Sequence, residues 1–192
     1  MQPPKINSIH TWQEFYSEIK TNKDWYLKLP QLQELIQQLA ESQSEILDIG
    51  CGSSNLANEL NELGYKNVTC IDYLESVINQ MQPQVSGSQY ILMDAKDLQF
   101  PNNIFDVAIT KGTLDFMQED ITEVCQIITE IHRTLKLNGA CIIVSQILPE
   151  IIRKSLNIVQ WNHIYESNFE VNNGCICNAQ ARAEVSVFVA FK

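Results

Sequence analysis

The chain has 192 residues, is 45% hydrophobic, and carries 13 basic against 23 acidic residues for a formal net charge of −10. This length and apolar content predict a single globular domain, residues 1–192, with a full hydrophobic core. The negative charge would repel a phosphate backbone, so we do not expect bulk nucleic-acid binding, whereas a cationic partner is readily accommodated.

The amino-terminal segment, MQPPKINSIH at 1–10, has neither the apolar core of a signal peptide nor the Arg-rich amphipathic character of a transit peptide. No apolar run reaches the roughly 18 residues of a membrane span. We therefore expect a soluble, cytoplasmic protein that does not bind membranes.

The cysteines do not indicate a metal centre. They stand at positions 51, 70, 125, 141, 175 and 177. Several lie in apolar runs, where a thiol behaves as a small hydrophobic group. Cys175 and Cys177 form a close C-x-C pair, but without a second pair or nearby histidines this falls short of a zinc site.

Apolar residues that recur every three or four positions predict a series of helices. These helical segments are 29–40, 53–63, 74–81, 120–135 and 149–156. In the fourth, Asp120 is the expected cap residue, with Glu123 at the capping-box position.

Short runs rich in Ile and Val predict strands between these helices. They are EILDI at 45–49, NVTCID at 67–72, YILMD at 90–94, IFDVAIT at 104–110 and NGACIIVSQ at 138–146, the last including a turn. Alternating strands and helices predict an α/β fold, a mostly parallel sheet covered by helices on both faces. Two longer alternating runs, 159–171 and 181–191, predict an antiparallel edge.

The segment ILDIGCGSSNL at 46–56 joins the first strand to the following helix. In a doubly wound sheet, ligands bind beyond the carboxyl ends of the strands, and Gly50 and Gly52 stand in that loop. An ordinary strand-to-helix turn is the alternative. Asn55 occupies the third glycine position of a dinucleotide motif, which disfavours that ligand. Asp48 favours a ligand with amine donors and positive charge, such as S-adenosylmethionine.

Two further acids follow the next strands. Asp72 ends the second strand 20 positions after Gly52, where a carboxylate can accept both ribose hydroxyls, unless it only caps the next helix. Asp94 and the backbone of Ala95 follow the third strand and could contact adenine, although Asp is also a common loop residue.

The residues described so far resemble the seven-strand, Rossmann-like S-adenosylmethionine-dependent methyltransferases. The closer likeness is to the branch with lysine methyltransferases of elongation factor 1-alpha and citrate synthase. The segments that carry it are DWYLKLPQL, ILDIGCGSSNLANELNELGY, IDYLESVI, MDAKDLQFPNNIFDVAITKGTLDFM and IHRTLKLNGA. The resemblance implies the sheet order 3-2-1-4-5-7-6 with strand 7 antiparallel, an N-terminal helical lid at 1–44 and a Rossmann-like core at 45–192.

The resemblance also implies roles for individual residues. At the methionine end of the cofactor it implies Asp48, Gly50 and Gly52, at the ribose Asp72, and at the adenine Asp94 and Ala95. It implies Cys51, Tyr73 and Lys111 as further cofactor-binding residues. Trp25 and Tyr26 would close the pocket, or alternatively anchor the first helix by aromatic packing.

The segment TKGTLDFM at 110–117 resembles the family segment beside the reactive methyl group, which usually begins with Asp. Here that acid is replaced by Thr110. Thr110, Lys111 and Asp115 are the candidate catalytic residues, and Asp115 would either hold a target amine or cap the following turn. Other departures from the family pattern are Leu137 and Asn138 in place of Pro and Gly, and Phe15 in place of Arg.

Two functions follow from these expectations. The first is methylation of a protein lysine, with a translation factor as a possible substrate. The second is a catalytically retired methyltransferase fold that serves as a binding subunit of a larger assembly, a reading that depends on the change at Thr110. The chain has no G-x-S-x-G elbow and no Walker loop, so hydrolase and phosphoryl-transfer chemistry are disfavoured.

Overall fold

The computed structural model describes residues 9–18, 24–83, 87–117, 120–146, 149–172 and 182–192. The strands in these residues are β1 Glu45–Ile49, β2 Asn67–Asp72, β3 Ser88–Leu92, β4 Phe105–Lys111, β5 Leu135–Ser145, β6 His163–Asn172 and β7 Arg182–Phe191. The helices are α1 Ile9–Glu18, α2 Leu29–Leu39, α3 Leu56–Glu62, α4 Glu75–Met81, α5 Ile121–Thr134 and α6 Pro149–Leu156.

The strands form one sheet in the order β3-β2-β1-β4-β5-β7-β6. β7 runs antiparallel to β5 and β6, and the other neighbouring pairs are parallel. The predicted Rossmann-like α/β fold is therefore confirmed. Strand order reverses between β1 and β4, and a crevice for a ligand forms beyond the carboxyl ends of strands at such a point.

Buried apolar residues form two clusters, one on each face of the sheet. One face is covered by α1 to α4, which contribute side chains such as Leu32 and Leu60. The other is covered by α5 and α6, with side chains such as Ile128 and Leu156. Because both faces are covered, the central strands can be apolar throughout, as the sequence predicted.

Sequence and local chemistry explain where the helices begin. α2 has Pro at its first turn, where the missing N–H costs no helical hydrogen bond, and it buries Leu29, Leu32 and Ile36. α5 is capped as predicted, because the Asp120 carboxylate accepts the N–H of Thr122.

Several predicted bounds were wrong. β3 ends at Leu92, so Asp94 lies in the loop beyond the strand. β5 begins at Leu135, directly after α5, so the predicted turn residues Asn138 and Gly139 lie within the strand, where its pairing with β4 is irregular. β6 begins at His163, not Val159, because the residues after α6 form turns in which Val159 N–H bonds to the Leu156 carbonyl.

Two departures from the family pattern have structural explanations. Asn138 adopts φ 67°, a left-handed conformation in which Asn is the commonest replacement for Gly. Phe15, where the family tends to carry Arg, is buried among the aromatic rings of α1 and its neighbours.

Among the described residues, no helix is long and apolar enough to cross a membrane. The same part of the chain contains no group of three or more His, Cys, Asp or Glu residues that could hold a metal ion. Cys175 and Cys177 lie outside the described residues.

Candidate functional site

A cavity of about 290 Å³ lies beyond the carboxyl ends of β1, β2 and β4. The predicted site residues that line it are Trp25, Asp48, Gly50, Cys51, Asp72, Tyr73, Asp94, Ala95 and Lys111. Those that do not line it are Tyr26, Gly52, Thr110 and Asp115. The cavity therefore has the position expected for a ligand site in a doubly wound sheet.

The glycine loop, residues 50–55, is shaped by contacts with side chains as well as by its backbone. Gly50 has φ 66°, and a Cβ atom there would overlap the side chain of Thr113. The Thr113 hydroxyl donates to the Ile49 carbonyl at 2.9 Å. Gly52 has φ 51°, and a Cβ atom there would overlap the Tyr16 hydroxyl. The left-handed backbone and the close packing therefore both require glycine at these two positions, whether or not a ligand binds.

Asp72 connects the glycine loop to the second strand. Its carboxylate accepts the N–H of Gly52 at 3.0 Å and the N–H of Leu74, which precedes α4, at 3.0 Å. Burial raises the pKa of Asp72 to about 6, and these backbone donors oppose that shift. Asp72 therefore makes the contact with the start of the next helix that the sequence left as an alternative, and it lines the cavity as well.

Asp48 is the most deeply buried acid of the cavity wall, with 3% of its surface exposed. Burial raises its pKa to about 7, the positive charge of Lys111 opposes this, and the charges of Asp24 and Asp72 add to it. An acid in this environment favours a positively charged neighbour, because the ionised carboxylate has lost its water.

Asp24 was not predicted as a site residue, although its carboxylate contacts both the glycine loop and the end of β4. Its Oδ1 accepts the hydroxyl of Ser54 at 2.5 Å and the ammonium of Lys111 at 3.1 Å. Lys111 Nζ also donates to the carbonyl of Trp25 at 3.3 Å. These contacts join the N-terminal segment to the glycine loop and to the end of β4.

Aromatic rings form the wall contributed by the N-terminal segment. Trp12 and Tyr16 of α1 line the cavity with Trp25 and Phe116. The Trp12 and Phe116 ring centroids are 4.5 Å apart, and those of Trp25 and Phe116 are 5.4 Å apart. Trp25 lines the cavity and also packs against Trp12 of α1, with ring centroids 6.2 Å apart, so its position is compatible with both roles that the sequence left open.

The outer end of the cavity is more exposed. Asp94 accepts the N–H of Lys96 in a local turn at 2.9 Å, and its side chain is 54% exposed. Lys96 Nζ lies 2.7 Å from Glu123 Oε1, and Ala95, which precedes Lys96 in the chain, is buried. Tyr73 lines the same end. Asp94 thus makes the local contact of an ordinary loop residue, which the sequence left as an alternative, and it also lines the cavity.

Thr110 lies away from the cavity. Alternation along β4 directs neighbouring residues to opposite faces of the sheet, so Lys111 reaches the cavity and Thr110 lies against the α5 side. Thr110 is 1% exposed, and its hydroxyl has no hydrogen-bond partner among the residues that the structure describes. The structure therefore gives Thr110 no contact with a ligand in the cavity.

Asp115 and Tyr26 form a second polar group behind the cavity wall. Asp115 Oδ1 accepts the N–H of Gln146 at 2.6 Å, while Oδ2 is buried without a partner at hydrogen-bond distance in the described part of the chain. Burial raises the pKa of Asp115, whereas the Gln146 N–H and the hydroxyls of Ser145 and Tyr26 lower it. Burial and the charge of Asp115 raise the pKa of Tyr26.

Tyr26 has an unusual backbone. Its φ is 60°, a left-handed conformation that is rare for a bulky residue. Its ring lies over Gly112, where a Cβ atom would come within 3.3 Å of Tyr26 Cε2. Strained residues of this kind concentrate at functional sites.

Comparison with known proteins agrees with this geometry. A family model described as "Methyltransferase domain" matches residues 47–143. The eEF1A lysine and N-terminal methyltransferase of Mus musculus is 31% identical over 79% of this chain and 23% of the relative. The EEF1A lysine methyltransferase 4 of Mus musculus is 29% identical over 72% of this chain and 64% of the relative. The chain thus spans less than two thirds of either relative.

A solved SAM-dependent methyltransferase from Methanosarcina mazei has the same fold, with a TM-score of 0.64 and 21% identity over 82% of this chain and 96% of that one. The family model covers about half of the chain, from the first strand to the fifth, and includes the glycine loop, Asp72 and the end of β4. The chain belongs to the methyltransferase domain family.

Proposed function

We propose that the chain is an S-adenosylmethionine-dependent methyltransferase that methylates a lysine side chain of a protein. The observation that carries the proposal is the meeting of Asp48, the glycine loop and Asp72 in one cavity where the strand order reverses. Family membership and the methyltransferase structure described above imply S-adenosylmethionine as the cofactor.

The donors and acceptors of the cavity fit this cofactor. Asp72 has lone pairs left for ribose hydroxyls after accepting two backbone N–H groups. Asp48 suits an ammonium group, since its carboxylate is desolvated. We assign the methionine end to Asp48, Gly50, Cys51, Gly52 and Lys111, the ribose to Asp72 and Tyr73, and the adenine to Asp94 and Ala95. Trp25 and Tyr26 belong to the segment that closes the cavity.

S-adenosylmethionine supplies a methyl group on a sulfonium, which is already a good leaving group. The protein's contribution is then alignment and exclusion of water, with less need for strong acids and bases. The aromatic wall of Trp12, Trp25 and Phe116 excludes water from the cavity side. A lysine acceptor must lose a proton before it attacks, and a dry pocket favours the neutral amine.

We assign Asp115 and its neighbour Tyr26 to the acceptor side of the site, where both lie behind the cavity wall and do not line the cavity. The Asp115 carboxylate lies beside the hydroxyls of Ser145 and Tyr26, and its Oδ2 has acceptor capacity left for an N–H of a lysine that reaches it. Because burial raises the pKa of Asp115, its carboxylate can also take the proton that the amine releases. Lys111 connects the methionine end and the acceptor side of the site. It lines the cavity, and its ammonium donates to the carbonyl of Trp25.

The relatives are named for methylation of eEF1A, so a translation factor is the proposed protein substrate and the cytoplasm the proposed location. We propose that residues 1–192 act as one methyltransferase domain, with 1–44 as its lid and 45–192 as its core.

The second candidate is a binding subunit that keeps the cofactor site but transfers no methyl group. One observation favours it: Thr110 stands where the family segment usually has an acid. A fold by itself does not determine which of the two functions the chain performs.

Incubation with S-adenosylmethionine and unmethylated elongation factor 1-alpha tests the proposal, with mass spectrometry of the intact factor and of its peptides. We expect the mass of one or more methyl groups on a lysine. The Asp115→Asn variant should bind the cofactor normally and lose about a hundredfold or more in turnover, the usual scale of a proton-transfer contribution. Cofactor binding without methylation would support the binding subunit, and full turnover by Asp115→Asn would remove Asp115 from the acceptor site.

A further inference from the structure

β6 forms one edge of the sheet over its full length. Its residues, His163–Asn172, pair with β7 in one unbroken antiparallel register, and no other strand in the described part of the chain pairs with it. On the outer side of an edge strand, the N–H and C=O groups of alternate residues point away from the sheet. β6 therefore presents a row of backbone donors and acceptors to a further strand.

This edge lacks several features that usually keep sheet edges from pairing. Natural edge strands are often short, interrupted by a bulge, or supplied with Lys or Pro. β6 is ten residues long, shows no shift in register against β7, and its sequence HIYESNFEVN contains neither Lys nor Pro. The opposite edge of the sheet, β3, has only five residues. β6 is therefore the edge better suited to pair with a second chain.

The side chains of β6 alternate between two exposed faces. Tyr165 is 59% exposed and Phe169 is 37% exposed. Because residues two apart on a strand share a face, both rings lie on one face, with Ser167 between them. The exposed residues of the other face are Ile164, Glu166, Asn168 and Glu170. The strand thus has an aromatic face, carrying Tyr165 and Phe169, and an acidic face, carrying the two glutamates.

A second copy of the strand matches the aromatic face when a two-fold axis passes through Ser167. Residues directly opposite each other in an antiparallel pair lie on the same face of the sheet. With the axis at Ser167, Tyr165 of each copy lies opposite Phe169 of the other. The symmetry makes this aromatic pair occur twice, and cross-strand aromatic pairs stabilise a sheet.

The same register keeps the carboxylates of the acidic face apart. Glu166 of one copy lies opposite Asn168 of the other, and Glu170 lies opposite Ile164. An axis at position 166 would place Glu166 opposite its own copy, and an axis at position 168 would place it opposite Glu170. Like charges directly opposite each other destabilise a sheet. The charge pattern therefore favours the axis at Ser167 over its two neighbours.

A cation on α6 makes the charges of this register complementary. Arg153 donates to both carboxylate oxygens of Glu166 at 2.8 Å, and its side chain is about half exposed. Across the axis, Glu170 of the other copy is the diagonal neighbour of Glu166, within reach of a long side chain. Each guanidinium therefore offers its positive charge to a carboxylate of the other copy as well.

We infer that β6 pairs with β6 of a second copy of this chain, with the two-fold axis at Ser167, so that the two sheets continue into one. The inference goes beyond the proposed function and does not depend on it, since none of the described β6 residues lines the cavity. A strand of another protein is the competing occupant. The matching of rings and charges by the strand with itself favours the second copy.

Sedimentation velocity of the chain over a range of protein concentrations tests the inference. We expect a reversible dimer with a micromolar dissociation constant, because a single strand edge is smaller than a standard interface. Ser167→Lys places two positive charges opposite each other on the axis, and it should raise the dissociation constant at least about tenfold. Ser167→Asp should have the same effect through two negative charges.

An equimolar mixture of these two variants distinguishes a loss of pairing from a folding defect. In the mixed pair, opposite charges meet on the axis, so the mixture should form a dimer under conditions in which neither variant does so alone. Ser42→Lys is the matched control. Ser42 is exposed in the turn before β1, which β4, β5 and β7 separate from β6, so this variant should dimerise as the wild type does.

Recovery of the dimer in the mixture would support the inference. A wild-type protein that stays monomeric at every concentration would overturn it and favour another protein as the occupant of the edge. A dimer that Ser167→Lys leaves unchanged would also overturn it, because that dimer would use another surface. A mixture that stays monomeric would overturn the placement of the axis at Ser167. None of these results bears on methyl transfer.

Discussion

The two ends of the cavity use the same kinds of residues under different physical conditions. At the inner end, Asp48 is 3% exposed and Lys111 is paired with the shielded Asp24. At the outer end, the side chain of Asp94 is 54% exposed and Lys96 is paired with a partly exposed Glu123. Charges at the outer end remain solvated and screened, whereas those at the inner end depend on one another. Substitutions at the inner end should therefore have the larger effects.

The largest effect is expected from Gly50→Ala in the inner loop. The new Cβ would overlap the Thr113 side chain at a left-handed backbone position, so the free energy of unfolding should fall by at least about 2 kcal/mol and cofactor binding should be lost. Chemical denaturation and calorimetry measure these two effects.

Gly64→Ala is the control for backbone strain alone. Gly64 also has a positive φ, but nothing lies within 4 Å of the Cβ position. We expect a loss of about 1 kcal/mol in unfolding free energy and unchanged cofactor affinity. Equal losses in the two variants would mean that the contact with Thr113 contributes nothing.

The next prediction compares cofactor affinity after substitution of Asp72 with that after substitution of Asp94 at the outer end of the cavity. Asp72→Asn should weaken cofactor binding about tenfold or more, because an amide replaces the buried carboxylate that we propose as the acceptor of the ribose hydroxyls. Asp94→Asn should weaken it less than about threefold, because an exposed charge contributes little. Calorimetry on both variants measures the difference, and a larger loss for Asp94→Asn would reverse our ordering of the two ends.

A further effect at the inner end is a pH dependence of stability. Burial raises the pKa of Asp48 to about 7, above the value of about 4 expected in the unfolded chain, so the folded state binds more protons between these values. Stability is therefore lost as the pH rises through this range. Asp72, with a raised pKa of about 6, contributes in the same direction.

Asp48→Asn should remove part of this dependence. The gain in unfolding free energy of the variant over wild type should grow from about pH 5 to about pH 8, by about 1 to 3 kcal/mol. Denaturant unfolding across this range is the measurement, with the outer-end change Asp94→Asn as the comparison. A constant difference between Asp48→Asn and wild type would show that Asp48 titrates alike in the folded and unfolded chains.

The sequence predicted those parts of the site that follow from local order along the chain. Asp48, Gly50 and Asp72 stand at strand ends, and the carboxyl ends of parallel strands meet at one edge of the sheet. The strand and helix bounds that failed were mostly shifts of a few residues, as in β3 and β6, where turns outside the strand pattern decide where pairing starts.

The parts that the sequence did not predict depend on contacts between distant segments. Asp24 meets Lys111 across 87 positions and Ser54 across 30, and no local pattern carries that information. The resemblance implied a helical segment at 1–44, but it gave neither the bounds of α1 nor the place of Trp12 and Tyr16 in the cavity wall. Thr110 was assigned to the site from the likeness to the family segment, but the alternation of β4 turns it to the opposite face from Lys111.

A crystal structure with S-adenosylhomocysteine tests the central claim most directly. We expect the ligand in the cavity, with its ribose hydroxyls on the Asp72 carboxylate and its amino acid group between Asp48 and Lys111. A ligand bound elsewhere, or one whose ribose contacts neither oxygen of Asp72, would contradict the account.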